Sequence, residues 1–207
     1  MKGLLIKDYY MALKYAKGYF LVSIVFGIIS LMGSDNMFFA LYPAMLGGAF
    51  SVSIIAYDEK SGWNSYAAIL PCTRKMIVTE KYIFTVLFIL AVSVINSIAI
   101  IAGEMMRGGS IAEAGMIILT MLSIAIIFPS VMLPVSLKFG VEKGRLIFYI
   151  AIVLIGASFP IMFNIISYSG NVNSVMLPYG FQTFIIAAVI MILSWFVSVR
   201  IYEGKDI

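Results

Sequence analysis

The sequence predicts an all-α integral membrane protein. It has six transmembrane helices, an N-terminal amphipathic helix at the inner interface, and a short cytoplasmic helix between spans two and three. Three observations carry this reading. The 207 residues are 62% hydrophobic and 12% charged, whereas soluble domains run about 45–50% apolar and about 25% charged. Six long apolar stretches hold no Lys, Arg, Asp, Glu or His, and about 20 apolar residues cross the hydrocarbon layer as a helix. Finally, 13 of the 14 Lys+Arg fall in alternate gaps between those stretches.

Residues 2–17 read as an amphipathic helix, not a span. Leu5, Tyr9, Ala12, Leu13 and Ala16 recur at helical spacing, with Lys7, Lys14 and Lys17 on the opposite face and Lys2 as the exception. Such a helix, taken over residues 1–18, lies along the inner interface with its lysines near anionic headgroups. It is either a topology anchor or an elbow on which a bundle pivots. The spans follow as Tyr19–Met32, which borrows from Ala16–Gly18 to reach full length, then Met37–Tyr57, Tyr82–Ala102, Ala114–Leu137, Leu146–Ile166 and Phe181–Val199. They use up the chain, so residues 1–207 are expected to form one transmembrane domain. No cleavable signal peptide is expected, because the first apolar run starts after an 18-residue charged segment.

The basic residues set the orientation. Lys2, Lys7, Lys14 and Lys17 precede span one; Lys60, Arg74, Lys75 and Lys81 follow span two; Lys138, Lys143 and Arg145 follow span four; Arg200 and Lys205 follow span six. The other gaps hold only Arg107. The Lys/Arg-rich side is cytoplasmic, so both termini are expected there, in the plasma membrane of a bacterial cell. The basic excess is explained by the membrane, and no nucleic-acid partner is expected. The outer gaps, Gly33–Asn36, Gly103–Glu113 and Ser167–Gly180, are too short for a receptor domain.

Within the spans, Ala40, Ala44 and Gly48 recur every four residues, beside Gly47 and Ser51. Small residues on one stripe let helix backbones approach closely, within one chain or between two. Pro43, Pro129, Pro134 and Pro160 lie in or near spans. Proline removes an intrahelical hydrogen bond and bends a helix, so Pro129 and Pro134 mark either a candidate hinge or a static kink. Asn96 and Asn164 either hydrogen-bond between helices or line a path for substrate.

Several chemistries are excluded. With no His in the chain, imidazole acid–base catalysis, His-ligated zinc and His-based proton relays are absent. One cysteine, Cys72, allows no internal disulfide. There is no GxxxxGK[ST] loop; the nearest run, Gly140–Arg145, has the wrong spacing. Ion-coupled carriers usually place ionisable groups inside the bundle, and the spans as drawn hold none. The chain is therefore expected to bind no cofactor or metal and to catalyse nothing, with its energy supplied by another chain.

Charge concentrates in one segment: Asp58 to Lys81 holds seven of the 24 charged residues. Gly62 breaks the span helix. Trp63, Tyr66, Ile69 and Leu70 then fall at helical spacing, and Pro71 stops the run. Thr73 can cap the next helix. A short helix with an aromatic knob suits docking of a soluble partner, or it sits in the aromatic belt of the interface.

The acidic pair Asp58-Glu59, then Gly62-Trp63, Tyr66 and Leu70-Pro71, then Thr73-Arg74-Lys75, Ile77-Val78 and Lys81-Tyr82, resemble the type-2 ABC transporter permease family. The opening Met1-Lys2-Gly3-Leu4-Leu5-Ile6-Lys7-Asp8 is similar too. The likeness is to the small six-span branch, as in exporters of phenol-soluble modulins and related peptides, with a type V exporter fold. In motif it covers residues 1–17 and 57–82; Cys72 departs from it, standing where a small aliphatic residue is expected.

The resemblance implies a dimer of permeases, most simply a homodimer. It also implies two cytoplasmic ABC ATPase subunits, on separate chains, that hold the ATP and Mg. It makes residues 58–81 a coupling segment, with Trp63, Tyr66 and Leu70 as contacts to the ATPase and Asp58, Glu59 and Arg74 as ion-pair or helix-end anchors. Residues 1–18 become the connecting helix. Short outer loops and an apolar interior suit an amphipathic or hydrophobic cargo, such as an antimicrobial or cytolytic peptide, entering sideways from the bilayer. Competing expectations are an ATP-independent channel or secondary carrier, and a sensor subunit that transports nothing.

Overall fold

The computed structural model describes residues 2–32, 37–69, 72–147, 150 and 180–204. Every regular element among them is helical: α1 Lys2–Tyr15, α2 Lys17–Met32, α3 Met37–Lys60, α4 Trp63–Ile69, α5 Arg74–Met106, α6 Ile111–Phe139 and α7 Gly180–Glu203. A further helical stretch covers 141–147. Three helices, α5, α6 and α7, are long and apolar enough to cross a membrane; α1 and α2, bent by 60° at their junction, make a fourth if counted as one span. The span expected at Leu146–Ile166 falls almost wholly outside the described residues, as do Leu70, Pro71, Pro160 and Asn164.

Local sequence signals set the helix ends. Gly62 ends α3 in the left-handed region at φ 67°, where a side chain would be strained. Thr73 caps α5 as expected, its hydroxyl accepting from the Met76 N–H at 3.3 Å. Ser110 and Glu113 form a reciprocal capping box at the start of α6.

α5 is the central strut and touches α1, α2, α3, α6 and α7. Its buried side holds Phe84, Phe88, Ile89, Val92, Asn96 and Ile100, while Leu87, Leu90, Val94 and Ile98 are exposed. Both faces are apolar, as a helix flanked by protein on one side and lipid on the other requires. α6 packs most extensively on α7 and next on α3.

From Ala44 onward the small-residue stripe of α3 packs within the chain; the Ala40 side chain lies outside what the structure describes. Ala44, Gly47, Gly48 and Ser51 are buried. A Cβ on Gly48 would stand 2.9 Å from the Ala125 carbonyl oxygen and 3.0 Å from Pro129 Cδ of α6. Proline at 129 leaves that carbonyl without its intrahelical N–H, and Gly48 supplies the room for it.

The amphipathic face of α1 differs from the expected one. Its inward stripe is Leu4, Asp8 and Ala12, continued by Ala16, whereas Tyr9 and Leu13 are 56% and 51% exposed. These inward positions share one face at i, i+4 spacing. The displacement is caused by Asp8, which is drawn inward by a cation on α5. Lys7, expected among the headgroups, also turns inward.

Candidate functional site

Five charged side chains meet where α1, the end of α3 and the start of α5 converge. The Lys81 ammonium lies 2.6 Å from Asp8, 2.6 Å from Asp58 and 3.6 Å from Glu80. Lys7 completes the box, 2.7 Å from Asp58 and 3.1 Å from Asp8. Asp8, Asp58, Glu80 and Lys81 are all buried, at 0%, 3%, 1% and 6% exposure. Burial alone would raise the Asp8 carboxyl. The Glu80 carboxyl and the charges of Lys81 and Lys7 outweigh it and hold Asp8 below its ordinary value of 3.8. Sequence reasoning placed Glu80 and Lys81 in a water-facing gap. They are covered because α1 folds back over the first turns of α5. The available signal was Asp8 itself, the one acidic residue in a segment otherwise carrying Lys2, Lys7, Lys14 and Lys17.

α4 sits beside this box. Trp63 is half-buried against the core around Ile77, Val78 and Tyr202, and the Lys7 ammonium lies 4.1 Å from its ring centroid, within cation–π range. Tyr66 leans on Trp63, centroids 5.4 Å apart, yet is 53% exposed, and Ile69 is 78% exposed. So the two aromatics expected on one contact face divide: Trp63 holds the short helix to the body and Tyr66 points away from it.

The flanking residues are helix-end anchors, each to a different element. The Glu59 carboxylate accepts the Val141 N–H at 3.0 and 3.2 Å, capping the stretch 141–147. A carboxylate at a helix start offsets its unpaired N–H groups and dipole. Arg74 donates to the Glu203 carbonyl at 2.6 Å, the corresponding arrangement at the C-terminus of α7. Nearby, Trp195 Nε1 donates to Thr79 Oγ1 at 3.1 Å, with Lys75 5.4 Å from its ring.

Deeper in the bundle, Asn96 is buried and bridges two helices. Its amide nitrogen donates to Ser23 Oγ of α2 at 2.8 Å and to the Val92 carbonyl at 2.9 Å. A chain of hydroxyls joins α5, α6 and α7. Ser194 donates to the Ser130 carbonyl, the one that Pro134 deprives of its helical partner. Tyr82 OH lies 2.6 Å from Ser194 Oγ and 2.7 Å from Ser198 Oγ. α6 is thus fastened to α7 at the carbonyl that Pro134 frees, a link legible only in hindsight from the i, i+4 pair Ser194 and Ser198. Ser194→Ala is expected to strand the buried carbonyl and lower stability by about 1–3 kcal/mol. Ser198→Ala, which leaves that carbonyl satisfied, is expected to cost less. Thermal melts of the two variants check this.

A family model described as an ABC-2 family transporter protein matches residues 3–203. No curated protein and no solved structure matches the chain.

Proposed function

This chain belongs to the ABC-2 family of transporter proteins, and on that premise we propose that it is the non-catalytic permease subunit of an ATP-driven exporter. Permeases of this family are generally membrane subunits without catalytic activity and typically work with an ATPase partner. In this reading α2, α3, α5, α6 and α7 are five of six spans, with the remaining one in 146–166. Both termini are cytoplasmic, and two permeases pair above two ATPase subunits that hold ATP and Mg. The cargo is an amphipathic or hydrophobic molecule, such as a membrane-active peptide, taken from the bilayer.

The observation that carries the coupling role is the two-sidedness of α4. Trp63 anchors it next to the buried charges, while Tyr66 and Ile69 stand free for a partner. A force on α4 then reaches α1 and α5 through Asp58, Lys7 and Lys81. Glu59 and Arg74 extend it to residues 141–147 and to α7. Pro129 and Pro134, each of which removes an intrahelical hydrogen bond of α6, are where α6 yields to the motion; because Ser194 holds the carbonyl that Pro134 frees, α7 moves with it.

The test is co-expression with the cognate ATPase. Tyr66→Ala combined with Ile69→Ala removes exposed apolar contacts. Hot-spot losses of about 2 kcal/mol correspond to roughly 30-fold weaker association. ATP-dependent export is expected to fall in step, with the melting temperature of the isolated permease unchanged. Trp63→Ala is expected to impair both. Transport by the purified chain in proteoliposomes without ATP or an ATPase would sink the reading.

A further inference from the structure

The outward face of α1 is not smooth. Leu5, Ile6, Tyr9, Ala12 and Leu13 of α1, Phe20 of α2, and Phe84, Leu87, Phe88 and Ala91 of α5 enclose a groove of about 600 Å³. The 60° bend between α1 and α2 gives it its shape, and Ala16 is buried at the corner. Its size is in the range of small-molecule sites, about 300–1,000 Å³. Its lining is apolar except for one charged side chain, Lys17, at the elbow. Lys17, the first residue of α2, is exposed, and Lys14 stands in the last turn of α1, its ammonium 5.3 Å from the Tyr15 ring.

We propose that this groove is a binding site for an anionic phospholipid of the inner leaflet, an acyl chain lying against Phe20, Phe84 and Phe88 and the phosphate meeting Lys17. Three features of the groove favour this occupant. Apart from the Tyr9 hydroxyl and the Lys17 ammonium the lining is hydrocarbon, too few hydrogen-bonding groups for the backbone of a bound peptide, whereas a hydrocarbon chain needs none. The only charge is positive and sits at one end, matching a molecule that is apolar along its length and anionic at its head. The charge also lies at the bend, where the sequence places the boundary between headgroups and hydrocarbon, and a lysine there keeps its ammonium in the headgroup layer. The site does not rest on an ATPase or on transport, and it is separate from the Asp8 box, which occupies the opposite face of α1.

The experiment uses the full chain reconstituted in nanodiscs of mixed phosphatidylglycerol and phosphatidylcholine, then released for native mass spectrometry under stepwise delipidation. Selective retention of phosphatidylglycerol is expected, and a photoactivatable phosphatidylglycerol should label Leu87 or Phe20. Lys17→Ala is expected to lower the selectivity about fivefold, the change expected for one interfacial lysine. Lys2→Ala, at the far end of α1 and outside the groove, should leave it unchanged. Ala91→Trp fills the groove from an exposed α5 position and should abolish retention of either lipid without lowering the melting temperature. Equal retention of the two lipids, equal behaviour of Lys17→Ala and Lys2→Ala, or photolabelling that maps a second copy or a peptide to the groove would overturn the proposal.

Discussion

Replacing Lys81 by Met is expected to destabilise this protein by about 3–5 kcal/mol, the usual cost of removing one partner from a buried ion pair. Three carboxyl groups, Asp8, Asp58 and Glu80, face that one ammonium from three helices. Lys7, about one-fifth exposed, cannot neutralise both Asp8 and Asp58 alone. Methionine preserves the volume and removes the charge, so the loss reports electrostatics and not a cavity. Thermal unfolding in detergent, followed by tryptophan fluorescence, measures it. Asp8→Asn added to Lys81→Met should recover part of the loss by removing one stranded carboxylate. The same geometry fixes the pH dependence. Because the Asp8 carboxyl is held below its unfolded value, its contribution is present above that value and is lost as pH falls through the lowered folded one. A Lys81→Met protein as stable as the parent would show that the box is hydrated.

Adjacent glycines of α3 are expected to answer the same substitution with opposite signs. At Gly48 an added methyl would meet the Ala125 carbonyl oxygen at 2.9 Å and the Pro129 ring at 3.0 Å. Backbone and proline cannot yield as a flexible side chain does. Gly48→Ala should therefore force α3 from α6 and cost about 1–3 kcal/mol, the range for overpacked cores. At Gly47 the nearest atoms belong to Val92, at 3.5 Å, an ordinary contact. Gly47→Ala should be neutral or stabilising by up to about 1 kcal/mol, the helix-propensity difference between the two residues. Melting curves of the pair decide it; equal effects would show that the seam between α3 and α6 is looser than its distances imply.

The helices α2, α3, α5, α6 and α7 were legible in the sequence because lipid imposes long apolar runs and keeps charge to their ends, and α1 because its apolar residues recur at helical spacing. The break at Gly62 and the cap at Thr73 were legible because both depend on residues a few positions apart. Pairings were not. Nothing local says that Asp8 meets Lys81, 73 residues on, or that Arg74 reaches Glu203, 129 residues on. The face of α1 was misjudged for the same reason: apolar spacing located the membrane-facing side, but one carboxylate with a distant partner decided which side turned in. Trp63 and Tyr66 show a further limit. Helical spacing assigned them a common face, yet α4 is only seven residues long, and packing against Ile77 and Tyr202 separates their roles.

The box at the α1 junction also sets a timetable for biogenesis. Asp8 and Lys7 leave the ribosome well before Asp58, and 73 residues before Lys81. At roughly 5–20 residues per second, several seconds pass in which Asp8 has only its neighbour Lys7 and not the cation of α5. The inward seating of the first helix thus depends on a residue made long after it: Asp8 has its partner on α5 only once Lys81 has been synthesised.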